Sequence, residues 1–330
     1  VSEDVSAEAA SVDASGRGSD IAIGVDLGGT GTRLVALDGY GDTVAQLVVP
    51  TPGAVPADAA VDFLVERVAS LAGEANVRSI GIGASGPIDA DGVIRNDDTL
   101  PAFTGVDLAG ALAAAFGAPV AVDNDAVTAA IGEAVAGAGR PFRSVLMLTL
   151  GTGVGVAALV EGGPVRGADG VHPEAGHLSL SGRTAPCYCG RSACFEQVGS
   201  RTALQRSASA LLARPSGGPQ DIRTVFDRAL DGDAAAAALF DDYGSGIADG
   251  LLDLLTVHRS AGVVLGGSAA SYFAAYAPAL LARLGEVATY SATPPVRVSE
   301  LGDLGGALGA AILGSRRPDR SSWLMLGRGR

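Results

Sequence analysis

The sequence predicts an α/β protein built in two halves, and three observations carry that expectation. Short, apolar, β-branched runs alternate with Ala-rich stretches of helical spacing. A strand, a glycine turn containing threonine and a second strand occur twice, near residue 28 and near residue 151. With 330 residues, the chain is long enough to bury two cores.

The elements follow in order. Residues 1–19 are small, acidic and Ser/Ala/Gly-rich, and read as disordered. Asp20 to Asp26 is a short buried strand that runs into Leu27-Gly28-Gly29-Thr30-Gly31-Thr32. Arg33 to Leu37 and Thr43 to Val49 are strands around the turn Gly39-Tyr40-Gly41-Asp42. Strands joined through a Gly-rich turn exclude both a Rossmann fingerprint and a P-loop. Pro56 to Glu74 has apolar residues at helical spacing (Val61, Leu64, Val65, Val68, Leu71). Val77 to Gly83 is a buried strand ending in the turn Ala84-Ser85-Gly86-Pro87-Ile88-Asp89, and Gly92 to Leu100 is a short strand and loop. Asp107 to Phe116 is a helix, Pro119 to Val122 a strand, and Ala126 to Ala138 a helix.

The second half repeats the scheme. Ser144 to Leu150 and Val156 to Val160 are strands around Gly151-Thr152-Gly153-Val154-Gly155, as expected of an internal duplication. Residues 161–200 are irregular; a segment this long implies function or a metal. Thr202 to Leu255 is mostly helical, and strand Ala261 to Leu265 ends at Gly266-Gly267-Ser268. Helix Tyr272 to Val287, strand Val296 to Val298 and helix Gly305 to Leu313 complete the set. Beyond Ser315 the tail offers only Trp323, Leu324, Met325 and Leu326 for packing.

Composition excludes several classes. The net charge of −13 argues against nucleic acid as the main ligand. It leaves phosphate open, since backbone N–H groups and a cation can hold one. The chain has no lysine, so phosphate chemistry must run without an ammonium group. No apolar run is long enough to span a bilayer, and no basic-then-apolar segment opens the chain, so a cytoplasmic protein with no membrane partner is expected.

Four constellations carry chemistry. Asp26 to Thr32 puts a carboxylate at a strand end beside free N–H groups and threonine hydroxyls. It reads as a phosphate loop with Asp26 toward Mg²⁺, or as a tight hairpin with glycine at positive φ. Gly151-Thr152-Gly153 carries the same alternatives. Val122-Asp123-Asn124-Asp125-Ala126 closes a strand and opens a helix; its acids either serve catalysis or cap the helix. His177, Cys187, Cys189 and Cys194 could supply a closed, structural Zn²⁺ set; the other readings are three free thiols, or a disulfide plus a thiol. Glu174 and Glu196 flank that set, either as sugar ligands or as groups orienting its histidine and arginines.

The order Asp26-Leu-Gly-Gly-Thr, Val122-Asp-Asn-Asp-Ala, Gly151-Thr-Gly, Glu174-Ala-Gly-His177 and Cys187-Tyr-Cys-Gly-Arg-Ser-Ala-Cys-Phe-Glu196 resembles the ROK family of bacterial sugar kinases and regulators, from about Asp20 to Leu313. The resemblance implies a two-lobed actin-like ATPase (ribonuclease H-like) fold with an interdomain cleft. It implies a small lobe over 20–123 joined by helix 305–314, a large lobe over 124–304 with a zinc loop at 172–196, and a tail at 315–330. It places the catalytic base on Asp125 and the sugar contacts on Gly86, Thr99, Asn124, Asp125, Glu174, His177 and Glu196. It places ATP contacts on Asp26, Gly28, Gly29, Thr30, Thr32, Gly151, Thr152, Gly153, Gly266, Gly267 and Ser268. The zinc ligands fall on His177, Cys187, Cys189 and Cys194. ATP, Mg²⁺ and structural Zn²⁺ are the implied cofactors, a sugar the other substrate, and a homodimer the expected assembly.

The chain departs from the family pattern in three places. Val156 stands where members often have glycine, Ala193 replaces a glycine between the zinc ligands, and Val171-His172-Pro173 replaces a small-residue run beside the sugar site. The expected reaction is phosphorylation of the primary (6-) hydroxyl of a hexose or hexose-like substrate. The rival readings are a non-catalytic sugar-sensing regulator, and a kinase for an amino sugar or cyclitol. The residues ahead of Asp26 are too few for a winged helix-turn-helix, which weighs against the regulator. Thr99 and His172 are where sugar discrimination is expected.

Overall fold

A computed structural model describes residues 20–286 and 293–316. The expectations for residues 1–19, for Val287 and for Trp323 to Leu326 lie outside the described residues. The chain opens with strands β1 (Asp20–Leu27), β2 (Gly31–Leu37) and β3 (Thr43–Pro50). Helix α1 (Ala57–Ala72), strand β4 (Asn76–Ala84), helix α2 (Leu108–Phe116), strand β5 (Val120–Asn124) and helix α3 (Asp125–Ala136) follow. Strands β6 (Ser144–Leu150), β7 (Val154–Val160) and β8 (Gly163–Pro164) lead to helices α4 (Glu196–Gly199), α5 (Arg201–Leu211), α6 (Pro219–Leu230) and α7 (Ala234–His258). Strand β9 (Gly262–Gly266), helix α8 (Phe273–Glu286), strand β10 (Val296–Val298) and helix α9 (Gly305–Ser315) close the order.

Two compact units result. Among the described residues, one holds 20–143, 159–173 and 300–316; the other holds 144–158, 174–286 and 293–299. The two five-stranded sheets run β3-β2-β1-β4-β5 and β10-β9-β6-β7-β8. Read from the hairpin end, the second order is the first with five added to every strand number, so the repeat expected from the two glycine turns extends to the whole sheet. In the first sheet β1 is antiparallel to β2 and parallel to β4, and β4 is parallel to β5. In the second, β9 is parallel to both β6 and β10.

Local chemistry explains the elements. Strand β1 lies between two neighbours, and Ile21, Ile23, Val25 and Leu27 are all buried, which gives a nearly continuous apolar run. Helix α1 buries Ala60, Leu64 and Val68, spaced four apart on one face, and ends at Gly73 with φ +55°. Helix α2 is capped by the Asp107 carboxylate, which accepts from the Gly110 N–H, and ends at Gly117 in the left-handed region.

Two segments differ from expectation. Residues 92–100 form no strand, only an isolated bridge between Ile88 and Ile94. The Asp89 carboxylate accepts from the N–H groups of Asp91 and Val93 and turns the chain aside. Residues 161–200 are better ordered than their composition suggests. They contain β8, a 3₁₀ turn over Ala175–His177 and isolated bridges Ser179–Cys194 and Pro186–Ser192.

Helix α9 packs on β1, β4 and α3 through small residues. A Cβ on Gly81 would lie 1.7 Å from the Ala310 carbonyl oxygen, and one on Gly309 would lie 1.7 Å from the Thr128 carbonyl oxygen. Backbone meets backbone at both points, so neither site has room for a methyl group. Helix propensity alone predicts that Gly309→Ala stabilises the protein, by up to about 1 kcal/mol. The packing predicts the opposite, a loss of about 1–3 kcal/mol. Thermal unfolding decides between them: the midpoint falls if α3 and α9 touch as described, and an unchanged or raised midpoint contradicts the packing.

Candidate active site

In the first unit the site begins with register. Strands β1, β4 and β5 are parallel, and Asp26 pairs with Gly83, which pairs with Asp123. Their C-terminal ends therefore lie in one row, the edge where parallel sheets present ligand-binding groups. Asp125 begins α3 just beyond this row.

The acids in and beside the row are handled differently. Asp123 is buried and its carboxylate is bidentate to Arg166: Nη1 donates to Oδ1 at 3.0 Å and Nη2 donates to Oδ2. Its Oδ1 also accepts from the Asn124 N–H. Asn124 is the N-cap of α3: its Oδ1 accepts from the Ala126 N–H at 2.9 Å, and its Nδ2 donates to the Gly86 carbonyl at 3.1 Å. Capping therefore falls on the amide between the two acids. Asp125 accepts from the Ser85 hydroxyl at 3.1 Å through Oδ2 and from the Ala126 N–H at 2.8 Å through Oδ1. Asp26 has only a loose ion pair, 3.9 Å from Arg33. Burial, then the Asp125 charge, push its carboxyl up to about 7, and Arg33 only partly offsets them.

The loop after β1 is a tight turn in which the Gly28 N–H donates to the Gly31 carbonyl at 3.2 Å. None of Gly28, Gly29 and Gly31 has positive φ, so backbone conformation does not explain these glycines. Close approach explains Gly29, where a Cβ would lie 2.4 Å from the Thr99 methyl. Thr99 is thus brought against the loop rather than apart from it. Gly29 and Thr30 are exposed. Thr32 is fully buried, its hydroxyl 2.8 Å from that of Thr51, which donates to the Gly28 carbonyl. Thr32 braces the loop from beneath, and its hydroxyl is not presented to a ligand. Gly86 does sit at φ +92°, and a Cβ there would meet the Asn96 side chain at 2.4 Å.

In the second unit β6 and β9 are parallel, with Thr149 opposite Gly266, so Gly151–Gly153 and Gly266–Ser268 leave adjacent strand ends. Gly267 has φ +76° and packs on the Leu150 backbone. Gly151 and Gly153 close their own turn, with the Gly151 N–H on the Gly153 carbonyl at 3.0 Å. Thr152 is exposed at its tip. Glu196 lies against this loop: a Cβ on Gly153 would be 2.1 Å from its Oε2, which accepts from the Val154 N–H at 3.3 Å. Burial raises the Glu196 pKa, His177 opposes that shift, and Glu174 adds to it. Glu174, exposed, precedes the turn that carries His177.

The four metal-type residues converge. Ligand atoms of His177, Cys187, Cys189 and Cys194 all lie within 4.8 Å of one another. Cys187 Sγ is 3.6 Å from His177 Nδ1, and Cys189 Sγ is 3.6 Å from Cys194 Sγ. Tetrahedral Zn–S bonds of about 2.3 Å put sulfurs about 3.8 Å apart, so these edges suit that ion. A disulfide would bring two sulfurs to about 2.0 Å, and all three thiols are free. The Arg191 backbone N–H lowers the Cys189 pKa, while burial pushes Cys194 up to about 12. A buried thiol of that kind ionises readily only beside a cation. Ala193, between two of these cysteines, has φ +61°, which accounts for the glycine expected there.

Three contributors carry no motif. Ser85 meets Asp125, Arg166 meets Asp123, and Asn96 donates to the Ser85 carbonyl while accepting from the Thr99 N–H. Of these only Ser85 lies within a turn that the sequence marks, at the end of β4.

Two equivalent sheets, each with a glycine turn at its parallel edge, and a thiol–imidazole cluster define an actin-like ATPase fold with an added metal-type loop. The chain matches the ROK family over residues 22–317 and belongs to it. It is 33% identical over 304 residues to an N-acetyl-D-glucosamine kinase of Erwinia tasmaniensis, covering 88% of this chain and 98% of that one. A ROK hexokinase from Thermus thermophilus superimposes with a TM-score of 0.76 at 33% identity, over 89% of this chain and 97% of its own. A ROK family glucokinase from Streptomyces griseus, solved with glucose and AMPPNP, gives 0.75 at 28% identity, over 89% and 99%.

Arg166→Ala strands the buried Asp123 carboxylate and should cost about 3–5 kcal/mol in denaturant unfolding. Adding Asp123→Asn should recover part of that loss, because the charge left unpaired is gone. A cost below about 1 kcal/mol for the single variant would place the pair among incidental surface bridges.

Proposed function

We propose that this ROK protein is an ATP-dependent sugar kinase that phosphorylates the primary (6-) hydroxyl of a hexose or hexose-like substrate, with Asp125 as general base. The observation that carries the reading is the position of Asp125. It begins a helix at the edge of three parallel strands, oriented by Ser85 and the Ala126 N–H, and its charge helps to raise the pKa of the neighbouring Asp26. The kinase relatives, and the neighbour solved with glucose and AMPPNP, support both substrates.

Asn124 and Gly86, tied to each other at 3.1 Å, and Thr99 would serve the sugar. Glu174, Glu196 and the Nε2 side of His177 would serve it as well. Gly28–Thr30 and Gly151–Gly153 present backbone N–H groups to the phosphates, and Gly266–Ser268 borders the adenosine. Thr32 acts only through the loop it braces. His177 Nδ1 and the three cysteines would hold Zn²⁺, which when bound fixes the loop between Glu174 and Glu196 and activates no water. Asp26 would hold Mg²⁺, which supplies charge neutralisation at the β- and γ-phosphates.

Asp125 takes the proton of the 6-hydroxyl as that oxygen bonds to the γ-phosphorus, the bond to the bridging oxygen breaks, and ADP leaves. Positioning and charge neutralisation dominate such a transfer, with proton removal adding to both. The test is coupled ADP release against glucose, mannose, N-acetylglucosamine, an amino sugar and a cyclitol, alongside Asp125→Asn. At least one compound should turn over, and the variant should lose about 10²–10⁴-fold in kcat. No turnover with any of them overturns the kinase reading; full activity of the variant overturns the base.

A further inference from the structure

We propose that Tyr188 is a gate on the sugar site: its phenol oxygen engages the imidazole N–H through which His177 would hold a sugar hydroxyl, and it must swing aside for the sugar to bind. The inference rests on the sugar-site reading of His177.

The two ring nitrogens of His177 face different partners. Nδ1 looks into the thiol cluster, 3.6 Å from Cys187 Sγ. A histidine that gives Nδ1 to a cation keeps its proton on Nε2, and that N–H usually donates to a fixed acceptor such as a carboxylate, a backbone carbonyl or water. Here the acceptor is the Tyr188 hydroxyl, 3.3 Å from Nε2, on a ring set edge-on to the imidazole at 5.3 Å. That ring is not packed in place: Tyr188 is 75% exposed. Its backbone, by contrast, is pinned, with the Cys187 N–H on the Arg191 carbonyl at 2.9 Å and the Gly190 N–H on the Cys187 carbonyl at 3.1 Å. The side chain can therefore turn while the cysteines on either side stay put.

The hydroxyl also lies in the field of Glu196 and Glu174, whose charges both act on it. It thus shares its surroundings with the three groups assigned to the sugar in this unit. A phenol O–H both donates and accepts, as a sugar hydroxyl does, so it competes for the same partner. What holds it is one hydrogen bond and one edge-on ring contact, both to the same imidazole, on a side chain otherwise exposed. Such a bond is weak enough for a ligand to displace and strong enough to cost affinity, about three- to tenfold.

The experiment compares the full chain and Tyr188→Phe at matched zinc content. Calorimetric titration with D-glucose and with N-acetyl-D-glucosamine is followed by steady-state kinetics. The variant should bind the sugar about three- to tenfold tighter, with KM lowered, kcat retained and thermal midpoint unchanged. Binding by the variant alone also supports the gate. Equal affinity overturns it and makes Tyr188 a bystander; weaker binding overturns it and makes the phenol a sugar ligand. If neither protein binds either sugar, the sugar-site reading and the gate fall together.

Discussion

Parallel strands that end in register bring their terminal side chains together whether or not those side chains attract. In this chain the row at the end of β1, β4 and β5 includes Asp26 and Asp123, with Asp125 one step beyond. Three carboxylates so placed need compensation. Asp123 receives it from the bidentate Arg166, and Asp125 is oriented by a hydroxyl and a backbone N–H. Asp26 is left with a guanidinium at 3.9 Å, so its charge is the one the fold leaves unbalanced. In the proposed kinase, the missing positive charge would arrive with a metal–triphosphate.

The row holds only because its supports are close-packed. Helix α9 reaches β1, β4 and α3 through glycines and alanines, and a single methyl group at Gly81 or Gly309 would overlap backbone. The second unit reaches a comparable result by other means. Its glycine turn is backed by the Glu196 carboxylate, and the segment between Glu174 and Glu196 contains few regular elements and converges on three thiols and an imidazole. One imidazole faces two ways there, with Nδ1 toward the thiols and Nε2 toward Tyr188.

Much of this was legible in the sequence, for physical reasons. Strand ends and glycine turns are local features, so the two sheets, their repeat and the positions of Asp26, Asp125, Gly151 and Gly266 follow from short windows. The cysteines cluster within eight residues and needed only His177 to complete a set. Tertiary pairing was not legible. Nothing near Arg166 announces a partner 43 residues away, and Asn96 lies in a stretch that reads as a short strand and loop. The direction of a side chain was hidden too: Thr32 sits in a phosphate-loop motif yet points into the core. Ala193 stands where a glycine is expected, and its positive φ, invisible in the sequence, supplies the physical reason for that glycine.

The fold leaves the Asp26 carboxylate without a full counter-charge, and pH-dependent unfolding of wild type against Asp26→Asn is the direct test. A carboxyl with its native pKa near 7 and an ordinary value of 3.8 is largely neutral in both states below about pH 3. Between about pH 4 and pH 7 only the unfolded chain ionises, so native stability falls as pH rises through that window, and above it the loss is complete. Asp26→Asn should match wild type near pH 3 and exceed it at pH 8 without metal, by roughly 2–4 kcal/mol. Parallel stability curves for the two proteins across that range would contradict it.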